Sequence, residues 1–222
     1  MRLQLILRFF TALRRCGARA ARCGARAVLA CALRCSPGAL RRSPGGGAML
    51  GSGKSMSLIG HVYLLADERV QALLAEPALA TSVIDGAYND PGAGFVDLDK
   101  GWQCLHYLLT GSARDGDAPL NFLLKGGTPV GDEDSGFGPA RVFRPLEVAV
   151  IADALSGVTQ PMLLSRFELK KLEKLEIYPG RWSEVNMSSD YDLGYYLGPF
   201  EELKRVAQRA KNERLGMIVW IA

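Results

Sequence analysis

Apolar positions recur along this chain in short blocks, and the spacing inside each block predicts an element. Residues 56–65, MSLIGHVYLL, are almost continuously apolar and rich in strand formers, which predicts a mostly buried strand. Asp67 follows as a helix cap, with Val70, Leu73 and Leu74 at helical spacing and Pro77 closing the segment. GAYNDPGAG, residues 86–94, reads as a loop. In residues 95–111, FVDLDKGWQCLHYLLTG, the positions Trp102, Leu105, His106 and Leu109 fall at i, i+3, i+4 and i+7 and share one helix face. Asp97 or Asp99 is placed at the start of that helix, where a carboxylate suits the dipole, and Gly111 just past its end.

The second half continues in the same way. PLNFLLKGG, residues 119–127, reads as a short helix begun at Pro119 and stopped by Gly126 and Gly127. The Gly- and Asp-rich run 128–145 is a loop leading to a brief strand near 141–143. Pro145 opens a helix whose Val148, Ile151, Ala152 and Leu155 form an apolar stripe, and Pro161 opens another. LKKLEKLEIYPG ends at Pro179 and Gly180, and residues 191–214 form a long helix with Leu193, Tyr196, Leu197, Phe200 and Leu203 inward. The closing MIVWIA is a strand that pairs with the opening one. The expected fold class is α+β: a single compact domain over 56–222, with a small mixed sheet packed by several helices.

Composition changes the picture at one end. The chain has 222 residues, 48% hydrophobic and 23% charged, the profile of one ordinary domain with an appendage. Its formal net charge of +4 hides two unlike parts. Residues 1–55 carry ten Arg and Lys54 against no acid, hence +11; the other 16 basic residues face all 23 acids, hence −7. Residues 1–55 are low-complexity Ala, Arg, Gly, Leu, Cys and Pro, with CGARA at 16–20 and again at 23–27. They are read as an extension outside the domain, either disordered or GC-rich upstream DNA taken as coding. An organelle transit peptide, a secretory signal and a basic nucleic-acid arm fit less well. Serine is scarce there, Arg8 breaks the apolar run, and aromatics stop at Phe10. No membrane span is expected, because arginines interrupt the only candidate well short of the roughly 18 apolar residues required.

The five cysteines divide the same way. Cys16, Cys23, Cys31 and Cys35 lack any C-x-x-C spacing, and the domain holds only Cys104, which excludes an internal disulfide and points to a reducing, cytoplasmic setting. AMLGSGKS, residues 48–55, satisfies a relaxed phosphate-loop pattern at Lys54 and Ser55. It follows a linker rather than a strand, and precedes a strand rather than a helix. VAVIAD, ending at Asp153, sits in a helical pattern rather than a buried strand. A nucleotide hydrolase is therefore rejected, and no cofactor is expected.

MSLIGHVYLL, FVDLDKGWQCLHYLLTG, GFGPARVFRPLEV and LEKLEIYPG, in that order, resemble the YfbM-like family of small bacterial proteins, a domain of unknown function. The resemblance covers nearly all of 56–222 and none of 1–55, and centres on Asp99, Lys100, Trp102, Leu105 and His106. It implies a compact α+β domain in a bacterial cytosol and brings no reaction or ligand with it.

The candidate chemistry is sparse. His106, on the apolar face beside Trp102, is either a core histidine or an acid/base in a Gly-lined cleft. The second role needs an orienting carboxylate from Asp97, Asp99 or the Asp132, Glu133, Asp134 triplet. Arg141, after the Gly-rich loop, is either an anion clamp or the partner of Asp97 or Asp99. Tyr178 and Trp182, with the Tyr191, Tyr195 and Tyr196 group, are candidates for an aromatic recognition surface or for core. Asp132 and its neighbours read as a solvated loop, and His61 and His106, the only histidines, lack metal-ligand spacing, so no metal is expected.

Two functional classes follow. In the first, the acidic domain is a non-catalytic binding module that meets a basic protein partner, using neither nucleic acid nor membrane, with Trp102, Arg141, Asp132 and Tyr178 as ligand contacts. In the second, it is an enzyme with His106 as general base beside Asp97 and Asp99. The lack of a nucleophile elbow, zinc-helix motif or nucleotide fingerprint tips the reading toward binding.

Overall fold

The computed structural model describes residues 57–222, and the readings of 1–55, the phosphate-loop look-alike included, lie outside the described residues. Among the described residues, seven α-helices surround one five-stranded sheet, so the α+β class holds. The strands are β1 (Gly60–Leu65), β2 (Phe95–Asp99), β3 (Thr128–Val130), β4 (Ala140–Phe143) and β5 (Gly216–Ile221), in the spatial order β2-β1-β5-β4-β3. The helices are α1 (Asp67–Ala75), α2 (Ala80–Asn89), α3 (Trp102–Thr110), α4 (Pro145–Ser156), α5 (Gln160–Arg166), α6 (Leu169–Lys174) and α7 (Asp190–Glu213).

The last strand does pair with the first: β5 runs beside β1 from Gly60 opposite Ile221 to Leu65 opposite Gly216. The sheet is antiparallel at every pairing, where a mixed one was expected. The reason is that β5 slots between β1 and β4 and runs against both.

Alternation sorts the strand side chains into two cores. Val62, Leu64, Val96, Leu98, Phe143, Met217 and Val219 face the larger core, built with α3, α4, α5, α6 and α7. There Leu105, Leu108, Leu155 and Phe200 are fully buried, each contributing about 1.5–3 kcal/mol. Leu65, Val142, Ile218 and Trp220 face the other way, under α1 and α2. Gly216 lets α1 approach, since a Cβ there would stand 2.6 Å from the Phe143 carbonyl oxygen and closer still to Val70. At Gly60 a Cβ would meet that of Trp102 at 2.5 Å.

Four local expectations change. FVDLD is strand β2 rather than the start of α3, because Val96 and Leu98 are buried while Asp97 is exposed, a two-residue period. Asp67 is the first residue of α1 rather than its cap; Ala66 holds the extended cap position without a side-chain bond. Residues 86–89, read as loop, belong to α2, whose Ala80, Val83 and Ala87 are buried. Residues 119–124 form successive turns rather than a helix, and β3 precedes the brief strand expected at 141–143. The Arg141 guanidinium donates to the carbonyls of Phe122 and Leu123 in this turn, and Gly126 and Gly127 follow it at positive φ.

Candidate functional site

Three strands place Asp97, His61 and Trp220 in one row across the sheet, since His61 lies opposite Asp97 on β2 and opposite Trp220 on β5. Cross-strand neighbours of this kind touch through their side chains. The His61 ring lies 5.0 Å from Trp220, 5.4 Å from Phe95 and 5.2 Å from Tyr88 of α2. The Trp220 indole N–H donates to the Tyr88 hydroxyl oxygen at 3.0 Å, which fixes the Tyr88 ring. His61 is 4% exposed, and its Nδ1 finds no hydrogen-bond partner among the described residues. The nearest carboxylate oxygen, Asp97 Oδ1, stands at 3.7 Å, beyond hydrogen-bond range, and accepts the Asp99 N–H at 2.7 Å instead. Burial holds the His61 pKa below its ordinary value, partly offset by Asp97 and Asp99, so the imidazole is neutral at neutral pH.

Beside this row a cleft of about 510 Å³ opens between α2 and the β3–β4 loop, walled by Ile84, Asp85, Tyr88, Glu133, Asp134 and Trp220. Three side-chain carboxylates line it, and among the described residues no Lys or Arg does. Asp85 and Tyr88 sit three apart on α2 and so share a face. Tyr88 is 46% exposed, and burial, Asp97 and Asp85 raise its pKa despite the Trp220 bond. The acidic loop is ordered by its own bonds. Asp134 Oδ1 accepts the N–H of Gly136 at 2.7 Å and of Gly138 at 2.8 Å, and the Ser135 hydroxyl donates to the Ile221 carbonyl.

The residues singled out from sequence do not assemble into one site. His106 is fully buried in α3; its Nε2 lies 2.8 Å from the Asp115 carbonyl oxygen and its Nδ1 has no partner among the described residues. Burial pushes its pKa down to about 4, against the raising effect of the Asp115 bond. Among the described residues no carboxylate hydrogen-bonds it: Asp97 Oδ1 accepts the Asp99 N–H, Asp99 accepts the Tyr195 hydroxyl at 3.0 Å, and Asp134 accepts the N–H groups of Gly136 and Gly138. This geometry is that of the first of its two readings, a core histidine. Arg141 is buried and donates to the carbonyls of Phe122 at 3.0 Å and Leu123 at 2.6 Å, so it is neither an anion clamp nor the partner of Asp97 or Asp99. Burial lowers its pKa to about 10, which leaves it charged.

Trp102 is sealed, donates to the Leu58 carbonyl, and packs its ring 6.0 Å from Tyr178, whose hydroxyl accepts the Leu58 N–H. Trp182 and Tyr196 are likewise core, with rings 5.0 Å apart. Tyr178, Tyr191 and Tyr195 do border a second cleft, of about 580 Å³, together with Lys100, Arg181, Glu184 and Asp192. Its charges are mixed, two of each sign. Asp132 is exposed next to the acidic cleft, whose wall is made by Glu133 and Asp134.

The sequence reading missed Asp85, Tyr88 and Trp220 and passed over His61. A signal existed for part of this: alternation in GHVYLL and MIVWIA puts His61 and Trp220 on the strand faces opposite Val62 and Val219.

An all-antiparallel sheet with a large helical core on one face and two helices on the other defines a small α+β domain class. The chain belongs to the family described as a domain of unknown function, DUF1877, whose profile matches residues 56–220. It is similar to protein YfbM of Escherichia coli (strain K12), 30% identical over 130 residues that span 56% of this chain and 75% of YfbM. The crystal structure of YfbM from Escherichia coli, titled a protein of unknown function, aligns with a TM-score of 0.54 and 25% identity, covering 74% of this chain and 99% of that one.

Proposed function

We propose that this is a non-catalytic binding module of the bacterial cytoplasm that receives a basic segment of a protein partner in the acidic cleft between α2 and the β3–β4 loop. The observation that carries this reading is the cleft wall: Asp85, Glu133 and Asp134 beside the apolar surfaces of Ile84, Tyr88 and Trp220, with no Lys or Arg lining it among the described residues. Carboxylates flanking apolar surface suit Lys and Arg side chains, which bring both a charge and an aliphatic stem. The −7 charge of residues 56–222 would steer a basic partner toward the domain. For the cytoplasm, the support is that Cys104 is free and buried and that no single helix among the described residues is long and apolar enough to cross a membrane. For a bacterial source, the support is the Escherichia coli relative.

The test uses a fluorescein-labelled peptide of arginines spaced by glycines, with a glutamate peptide of equal length as control. The full chain is expected to bind the arginine peptide more weakly as salt rises. Joint Asp85→Lys and Glu133→Lys substitution is expected to weaken it about tenfold or more. Equal binding of both peptides, or unchanged affinity after the charge reversal, would sink the proposal.

A further inference from the structure

We infer that Tyr88 and Phe95, flanked by Asp85 and Asp97, form a seat for one arginine side chain at the mouth of the acidic cleft. This rests on the cleft reading above and adds which side chain anchors the partner and where.

Tyr88, Phe95, His61 and Trp220 are mutually in contact, every pair of ring centroids lying between 5.0 and 6.1 Å. His61 and Trp220 are the buried members; Tyr88 is exposed and Phe95 half-buried, so these two present the surface. Such rings offer negative faces to a cation. The platform is also rigid, because Tyr88 is held by the Trp220 indole N–H and backed by rings on three strands, so little ordering is lost when a ligand settles on it.

The electrostatics agree with the shape. Asp97 keeps its Oδ1 on the Asp99 N–H, while its Oδ2 accepts no hydrogen bond among the described residues, and its side chain is 59% exposed. Asp85 stands one turn before Tyr88 on α2 and Asp97 lies two residues from Phe95 on β2, and both carboxylates act electrostatically on Tyr88. His61 beneath is neutral and opposes no cation at neutral pH. A planar guanidinium can stack on a ring and still fork toward a carboxylate, whereas an ammonium is a compact, strongly hydrated point charge. That difference is the reason for choosing arginine.

The experiment titrates the full chain with the arginine peptide and with versions in which arginine becomes citrulline or lysine, reading affinity by anisotropy and the Trp220 indole resonance by NMR. The wild-type chain is expected to show a shifted Trp220 indole resonance with the arginine peptide and little response to citrulline. Asp97→Asn and Tyr88→Leu are each expected to weaken the arginine peptide by about threefold to thirtyfold, with Tyr88→Phe retaining most of the affinity. Asp97→Asn keeps the test decisive should Tyr88→Leu fail to fold, since the Asp97 side chain is exposed. If charge reversal at Asp85 and Glu133 weakens the peptide while Asp97→Asn and Tyr88→Leu do not, the seat is wrong and the cleft stands. If charge reversal itself has no effect, the cleft reading fails first. Equal affinity for lysine and arginine peptides would overturn the choice of guanidinium.

Discussion

His106 holds a neutral imidazole inside α3, and that makes it a source of acid sensitivity. Its folded pKa of about 4 lies below the ordinary 6.5, so the unfolded chain binds the extra proton first as pH falls. Stability is therefore fully present above pH 6.5 and is lost between about 6.5 and 4, by about 3 kcal/mol from this group. His61, also lowered, acts in the same direction. Thermal melts across this range should fall steeply for the native chain and more gently for His106→Gln; an unchanged slope in the variant would assign the effect elsewhere. Arg141 has a different structural role, with two N–H groups donating to the carbonyls of Phe122 and Leu123. Arg141→Met leaves both carbonyls unbonded and should cost about 2–4 kcal/mol in urea unfolding. Arg141→Lys should recover part of this, because one ammonium cannot fork to two carbonyls as a guanidinium does.

At the level of elements, close approach decides what each position tolerates. Gly216 opens β5 where α1 crosses, so Gly216→Ala drives a methyl into Val70 and the Phe143 carbonyl and should destabilise by about 1–3 kcal/mol. Gly194 lies inside α7 with nothing near its added Cβ, and Gly194→Ala should stabilise by about 0.5–1 kcal/mol. Chemical denaturation of both variants checks the pair; a loss at Gly194 would mean that α7 is not packed as described. β2 is an outer strand of the sheet, and its exposed Asp97 is the kind of charge that discourages edge-to-edge pairing. In the proposed seat that same carboxylate gains a second use.

For the whole molecule, charge and topology act together. The sheet separates a large sealed core, holding His106, Arg141, Trp102 and Trp182, from a smaller one whose rim carries the cleft. The residues most conspicuous in the sequence went mainly into the sealed side. Salt dependence of peptide binding belongs to this scale: affinity should decline with ionic strength in the native chain, and the slope should flatten in the Asp85→Lys, Glu133→Lys variant. A slope that persists unchanged would place the attraction elsewhere on the acidic surface.

Much of the architecture was legible in the chain because helix periodicity and breaker residues act locally. The stripe Val148, Ile151, Ala152, Leu155, the stop at Gly111 and the long helix from residue 190 needed only neighbours within a few turns. Three short elements were obscured by competing local signals: Gly86, Asn89 and Pro91 hid α2, the helical stripe after Trp102 hid the strand alternation of β2 before it, and the Gly- and Asp-rich run hid β3. The charge division, the family resemblance and the pairing of first and last strands were also set by sequence alone. Only the tertiary structure decided which histidine stands near a carboxylate. Asp97, His61 and Trp220 come from three distant segments and meet through strand register, while Tyr88 arrives from a helix above them. Register depends on how all five strands pack at once, and no window of sequence contains that information.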